Sequence, residues 1–208
     1  ERTKRPKTTV FRLVSALEEG GLLVKNRKTS HDVTYHMSLR IVELGKHVMD
    51  QLEYREVAYP HMKTLNEELN ELVHVVTREG DEAVYVETID STKLIRLVVK
   101  VGRRSPLYAG SGPKLLLAHM EPSAQKEYLD SVEIKKITDN TIDNVEDLKK
   151  ELARIKTLGY SKSHAEHFPN TIGFSFPIYD YTHHVIASLG VSIPSSDYSH
   201  DREEIIIT

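Results

Sequence analysis

At Leu72 the apolar spacing changes from every third or fourth residue to every second, which restricts the chain to few fold classes. Residues 72–78, 83–88 and 94–100 read as strands, and the turn Glu79-Gly80-Asp81-Glu82 joins the first two. Helical spacing returns over 111–119, 123–130 and 145–157, then strand spacing over 171–179 and 184–192. Strands flanking a helical block, joined by short turns, predict an α+β domain with helices on an antiparallel sheet. A length of 208 residues suits one large domain or two modest ones, and a 39 % hydrophobic fraction is enough to bury a core.

Ahead of this body the pattern differs. After Pro6, which fits the first helical position, Val10, Leu13, Val14 and Leu17 form one apolar stripe. Thr8, Arg12, Ser15 and Glu19 lie opposite, and Gly20-Gly21 ends the helix. Leu22–Val24, a basic loop over Lys25–Asp32 and Val33–Met37 then read as a β-hairpin. A helix with a cationic, hydroxyl-bearing face followed by a basic-tipped hairpin predicts a winged helix-turn-helix, with double-stranded operator DNA as partner. Lys7, Thr8, Thr9 and Arg12 fall in the first two turns, which reach base edges. Lys4, Lys25, Arg27 and Lys28 suit phosphates. The net charge of −3 conceals this division: residues 1–30 carry eight basic and three acidic side chains, residues 61–208 seventeen and twenty-three. A basic head on an acidic body restricts contact with a polyanion to the head. Residues 39–56 read as one helical linker able to pair with its copy, and a second helix is expected over 59–71.

The two late strands carry small residues on one face. Gly173 and Ser175 point one way, as do Ser188, Gly190 and Ser192; Ile172, Phe174, Phe176, Leu189 and Val191 point the other. A small polar face lines a pocket or is packed closely by a helix, and the pattern leaves both open. Tyr108–Lys114 reads as a glycine-rich loop entering a helix whose free N–H groups suit a carboxylate, without the spacing of a phosphate loop. His164 and His167, placed in a loop, read with His183 and His184 as exposed histidines, so no metal and no cofactor is expected. Zero cysteines exclude disulfides and a thiolate nucleophile, and no base–nucleophile spacing supports an enzyme. With no membrane-spanning run and no leader at Glu1, the expected compartment is the cytoplasm.

Read in order, Arg5–Leu13, Arg55–His61, Val101–Ala109 with Lys114–Ala118, Gly159-Tyr160 with Glu166, Phe176–Asp180 and Val191–Pro194 resemble the IclR family of bacterial transcription regulators along nearly the whole chain. The resemblance implies an N-terminal winged helix-turn-helix, a helical linker and a GAF/PAS-like effector domain, here over 1–38, 39–57 and 58–208. It also implies a ligand-responsive regulator, in most cases a repressor, assembled as a homodimer or homotetramer. Part of the DNA-binding domain is expected before Glu1, and a closing helix to continue past Thr208. The family's pocket falls on Ser111, Gly112, Ser163, Gly173, Gly190 and Ser192, joined by Tyr108 and Ser175. Relatives that bind small acids tend to have an acid at Ser163, a Cys at Gly173 and a Ser at Gly190, and the family's frequent His is Tyr108 here. The smaller side chains here imply more room and a bulkier or more apolar effector, such as an aromatic or sugar-derived acid. The competing expectation is a sensory module without DNA-binding activity.

Overall fold

The computed structural model describes residues 5–27, 29 and 32–208, and the chain divides into two compact units at Glu53–Tyr54. In the first unit α1 (Lys7–Glu19) starts directly after Pro6, whose carbonyl accepts from Val10 N at 3.1 Å. Pro6 thus caps the helix rather than occupying its first turn. The chain reverses through Gly20 and Gly21 (φ +72), a left-handed position that glycine adopts without strain. Strands β1 (Leu23–Arg27) and β2 (Val33–Met37) then pair antiparallel, Leu23 opposite Met37 and Arg27 opposite Val33. The predicted helix-then-hairpin is therefore present. Helix α2 (Arg40–Asp50) follows, and none of the described residues of this unit is buried.

The linker read as one helix over 39–56 is two. Helix α2 ends at Asp50 and α3 (Glu53–Leu69) begins three residues later; α3 contains Pro60 and also absorbs the helix expected over 59–71. The apolar period continues across the junction, so it does not reveal the break at Gln51-Leu52.

The second unit is built on a six-stranded antiparallel sheet in the order β5-β4-β3-β8-β7-β6. Its strands are β3 (Leu72–Glu79), β4 (Glu82–Ile89), β5 (Arg104–Pro106), β6 (Ser161–His164), β7 (Thr171–Tyr179) and β8 (Val185–Pro194). A register shift in the β3–β4 pairing between Val75 and Val76 places Val76 opposite Tyr85 and Val75 opposite Glu87. This bulge turns Tyr85 and Glu87 to opposite faces. On Tyr85's side, Val76 and Ala83 share a core with α4 (Ser111–Ala118), α5 (Pro122–Ser131) and α6 (Val145–Leu158). Glu87 accepts from Arg55 of α3 at 2.8 Å.

Local signals account for the helix ends. Asn144 caps α6 by accepting from Asp147 N, and Gly159 closes it in the left-handed conformation (φ +77). A last helix, α7 (His200–Ile207), is held by Arg202 to Glu71 (2.5 Å) and by Glu203 to Lys162 (2.6 Å).

Two expectations are corrected. Residues 94–100 form no strand; the edge of the sheet is β5, where Ser105 pairs with Ala83 and Arg104 with Val84. Leu94 and Ile95 are almost wholly exposed, whereas Leu97, Val98 and Val99 wall a cavity. The β-branched run has the spacing of a strand, but periodicity does not say whether a neighbouring edge is free. His164 ends strand β6, paired opposite Ile172, rather than sitting in a loop.

Candidate effector-binding site

The small-residue faces of β7 and β8 meet the N-terminus of α4, and both readings of those faces hold at different depths. Deeper in, the helix packs on them. Gly112 lies so close that a Cβ there would come 3.0 Å from Ser188 Oγ and 3.5 Å from Ser175 Oγ, and Ser175 donates to Ser111 Oγ at 2.9 Å. Further out, Ser111, Gly173, Ser163 and Ser192 line a cavity of about 20 Å³, room for a water or two. Gly110, just before α4, takes φ +101, which sets the turn that points the helix N-terminus at this cavity.

The expected roominess at the two glycines is corrected by the geometry. A Cβ on Gly190 would lie 2.2 Å from His74 Cε1, and one on Gly173 would lie 2.7 Å from Ser111 Oγ. An imidazole and a hydroxyl, rather than open space, fill the volume the missing side chains leave. Gly190 therefore lies beneath His74 and is not itself at the cavity wall. Tyr108 is also elsewhere: its buried phenol bonds the backbone N–H and carbonyl of Lys135, both at 3.2 Å. Thus Ser111, Ser163, Gly173 and Ser192 converge on the cavity, while Gly112, Ser175 and Gly190 pack behind it and Tyr108 serves a neighbouring loop.

His74 and Tyr85 escape sequence reading, and His167, expected to be exposed, instead lines the cavity. His74, from the middle of β3, is 2 % exposed; its Nε2 lies 3.0 Å from Ser192 Oγ and its Nδ1 has no partner. Burial holds its pKa down at about 4, so the ring is neutral at pH 7. His167 repeats the arrangement, with Nε2 at 3.1 Å from Ser105 Oγ and an unpartnered Nδ1, and burial lowers its pKa too. Tyr85 meets the His74 ring edge-on, centroids 5.2 Å apart. The one signal for His74 was a polar residue within the apolar run Leu72–Val76.

Glu166 and Lys114 brace the mouth. Lys114, 1 % exposed, directs its ammonium to Glu166 Oε1 (2.6 Å), Glu151 Oε1 (2.9 Å) and the Lys162 carbonyl (3.1 Å), using all three donors. The other Glu166 oxygen accepts from Gly110 N at 3.2 Å. Burial pushes the Glu166 carboxyl above its usual range, against the opposing pull of the Lys114 charge. The strand-connecting loop carrying Glu166 and His167 is strained at Ala165 (φ 53) and tied down by Thr138 and Thr141, whose hydroxyls donate to the Ala165 carbonyl (2.6 Å) and the Glu166 carbonyl (2.7 Å).

Beyond the polar cavity, sharing Tyr85, Phe168, Thr171 and Ser192 with it, lies an apolar chamber of about 190 Å³ walled by Leu97, Val98, Val99 and Pro169. A helix N-terminus, neutral imidazoles and serines at one end and an apolar chamber at the other form a site for a small amphipathic molecule.

On the first unit, Lys7, Thr8 and Arg12 are exposed along α1 and Thr9 is half-buried. Lys25 and Arg27 are exposed on β1, with Lys25 Nζ 5.9 Å from the centre of the Tyr35 ring. Lys4 and Lys28 fall outside the described residues. Among those described, no group of three or more His, Asp or Glu gathers as for a metal, and no helix is long and apolar enough to cross a membrane.

An antiparallel sheet with an amphipathic pocket, joined to a separate helix-and-hairpin unit, defines a two-unit protein with a candidate ligand-binding domain. Residues 46–208 match the family described as bacterial transcriptional regulator IclR C-terminal. The transcriptional regulator KipR of Bacillus subtilis is 35 % identical over 187 residues, covering 90 % of this chain and 73 % of KipR. The solved IclR of Thermotoga maritima superimposes with a TM-score of 0.77 at 26 % identity, over 95 % of this chain and 78 % of that one. An IclR homolog from Microbacterium hydrocarbonoxydans, solved with 4-hydroxybenzoate, shares the fold with a TM-score of 0.77 at 24 % identity, over 96 % of this chain and 81 % of that one. The chain belongs to the IclR family of bacterial transcriptional regulators. It is a ligand-responsive regulator of transcription that acts on DNA, and not an enzyme.

Proposed function

We propose that the protein is a cytoplasmic repressor that binds operator DNA as a homodimer or homotetramer and senses an organic acid with an apolar body. Residues 1–38 serve as a winged helix-turn-helix, 39–57 as the linker and 58–208 as the effector domain. The observation that carries the ligand reading is the amphipathic pocket: free N–H groups at the start of α4 with Ser111 and Ser192 suit a carboxylate, and the chamber under Leu97–Val99 suits an aromatic or aliphatic portion. The aromatic acid bound by the Microbacterium homolog has this chemistry. Glyoxylate and pyruvate leave that chamber empty.

For DNA, the exposed Lys7, Thr8 and Arg12 with half-buried Thr9 on the first turns of α1 support base reading, and the cationic hairpin supports phosphate contact. Binding to promoter DNA at several salt concentrations tests this. Arg12→Ala relaxes preference at one base pair at a cost of about 1–3 kcal/mol. Lys25→Ala weakens binding about equally across sequences and lowers the salt slope by about one. A full-length protein that shows no salt-dependent DNA binding refutes the reading in favour of a sensory module alone.

A further inference from the structure

Part of the apolar chamber's wall is not sheet: Leu97, Val98 and Val99 belong to the connection 90–103 between β4 and β5. Both ends of that connection are anchored. At the front, the Asn70 side chain accepts from Thr92 N (2.9 Å), and its backbone carbonyl accepts from the Ser91 hydroxyl (2.7 Å). At the rear, Gly102 N donates to the Tyr85 carbonyl (2.8 Å) and Tyr85 N to the Arg103 carbonyl (3.0 Å). Between the anchors, no hydrogen bond among the described residues ties Leu94, Ile95, Leu97, Val98 or Val99 to the rest of the chain. Leu97 and Val99 are half-buried, while Leu94 and Ile95 face water. A segment held by so few polar ties and so little apolar burial opens locally at low cost.

One side chain fastens it. Lys93 directs its ammonium to Glu71 Oε1 (2.6 Å) and to Asp197 Oδ2 (2.8 Å). These carboxylates stand at the chamber's rim: Glu71 directly precedes Leu72 on the chamber wall, and Asp197 lies in the turn just beyond β8, the strand that carries Ser192. We propose that residues 94–99 are a strap that lifts to admit the effector to the apolar chamber, and that Lys93 is its clasp. This rests on the reading of the chamber as the effector's place. The three ionic partners are not equivalent. Glu71 is 2 % exposed, and the same oxygen also takes Arg202 at 2.5 Å. When Lys93 leaves, Arg202 still compensates that buried carboxylate, and the Lys93 ammonium and the partly exposed Asp197 pass to water. Loss of Glu71 would instead strand Arg202, so Lys93 is the member that can let go.

The chain has no cysteine, so one introduced thiol reports on the chamber without any effector, and the strap and the acid reading can fail separately. Ser192→Cys places the thiol on the strand wall, and its reaction with dithiodipyridine, an aromatic disulfide, is followed by absorbance. Ile95→Cys supplies the rate of an open thiol. Ser192→Cys reacts about a hundredfold more slowly than Ile95→Cys, and adding Lys93→Met speeds it about tenfold or more. Asp197→Asn, which removes one of the two anions, speeds it less. Lys93→Arg, which keeps the charge, and Arg104→Met, which breaks an exposed ion pair at the sheet edge, leave it close to the parent rate. Val75→Cys, fully buried in β3, stays unreactive beside Lys93→Met, which separates a lifted strap from an unfolded domain. A Ser192→Cys thiol as reactive as that of Ile95→Cys, a rate indifferent to Lys93, or an equal gain at position 75 overturns the strap and leaves the acid reading standing.

Discussion

A single histidine shows how a residue invisible to periodicity comes to dominate a site. In Leu72-Val73-His74-Val75-Val76 the apolar spacing marks a buried strand, but only the fold shows that position 74 lies opposite Gly190. The glycines at 173 and 190 were legible as a small face; what fills them comes from elements about 60 to 120 positions away, beyond any local pattern. The same histidine has a measurable consequence for stability. Its imidazole titrates near 6.5 in the unfolded chain and at about 4 when buried. Between those values the unfolded state takes up a proton that the folded state refuses. Stability is therefore full above about pH 7 and falls as pH drops from 6.5 toward 4, by about 1.4 kcal/mol per pH unit and up to about 3 kcal/mol in all. The lowered pKa of His167 acts in the same direction. Urea unfolding of the wild type and His74→Gln at pH 7.5 and 4.5 isolates the effect, since the difference between the two proteins shrinks at the lower pH. An unchanged difference shows that His74 is not neutral and buried in the folded state.

At the scale of elements, β3, β4, β7, β8 and the helices α4 to α6 are readable from their apolar spacing and the turn residues between them, although all eight residues of α4 are buried. The misreadings share a cause. Strand β5 has three residues, too few for a period, and the run at 94–100 has strand-like composition without a ladder partner. The break between α2 and α3 falls where the stripe stays in phase. Helix α2 itself exposes that stripe: Ile41, Leu44 and Val48, at i, i+3 and i+7, are 37 %, 48 % and 59 % exposed. Covering such side chains contributes roughly 1.5–3 kcal/mol each when burial is complete, which suits pairing with the same helix of a second copy. A dimer held this way converts to monomer when Leu44 and Val48 are both replaced by Glu. Sedimentation velocity at micromolar concentration reads the change directly, while circular dichroism of the sheet domain stays as in the wild type. An unaltered sedimentation coefficient excludes α2 from the interface.

For the whole molecule, the uneven charge that pointed to a nucleic-acid partner from the first thirty residues corresponds to a separate compact unit, while the acidic remainder builds the sheet domain with its pocket. On the proposed function, DNA contact and ligand contact belong to different units of one chain, which meet in sequence at Glu53–Tyr54. Coupling between them is a free energy shared by two equilibria. An acid that lowers operator affinity does so only by binding the DNA-free arrangement more tightly than the DNA-bound one. If a bound acid weakens operator binding tenfold, saturating operator DNA weakens acid binding by the same tenfold, about 1.4 kcal/mol in either direction. Fluorescence anisotropy on labelled operator with and without acid gives one arm, and calorimetry of the acid with and without operator gives the other. Substitutions at Arg12 or Lys25 lower operator affinity in both acid-free and acid-bound states and leave the ratio unchanged, because they touch the DNA term alone. Variants at Gln51 or Leu52, between α2 and α3, change the ratio while leaving acid affinity in the DNA-free protein as it was. A ratio that Gln51 and Leu52 do not influence rules out the helical junction as the route.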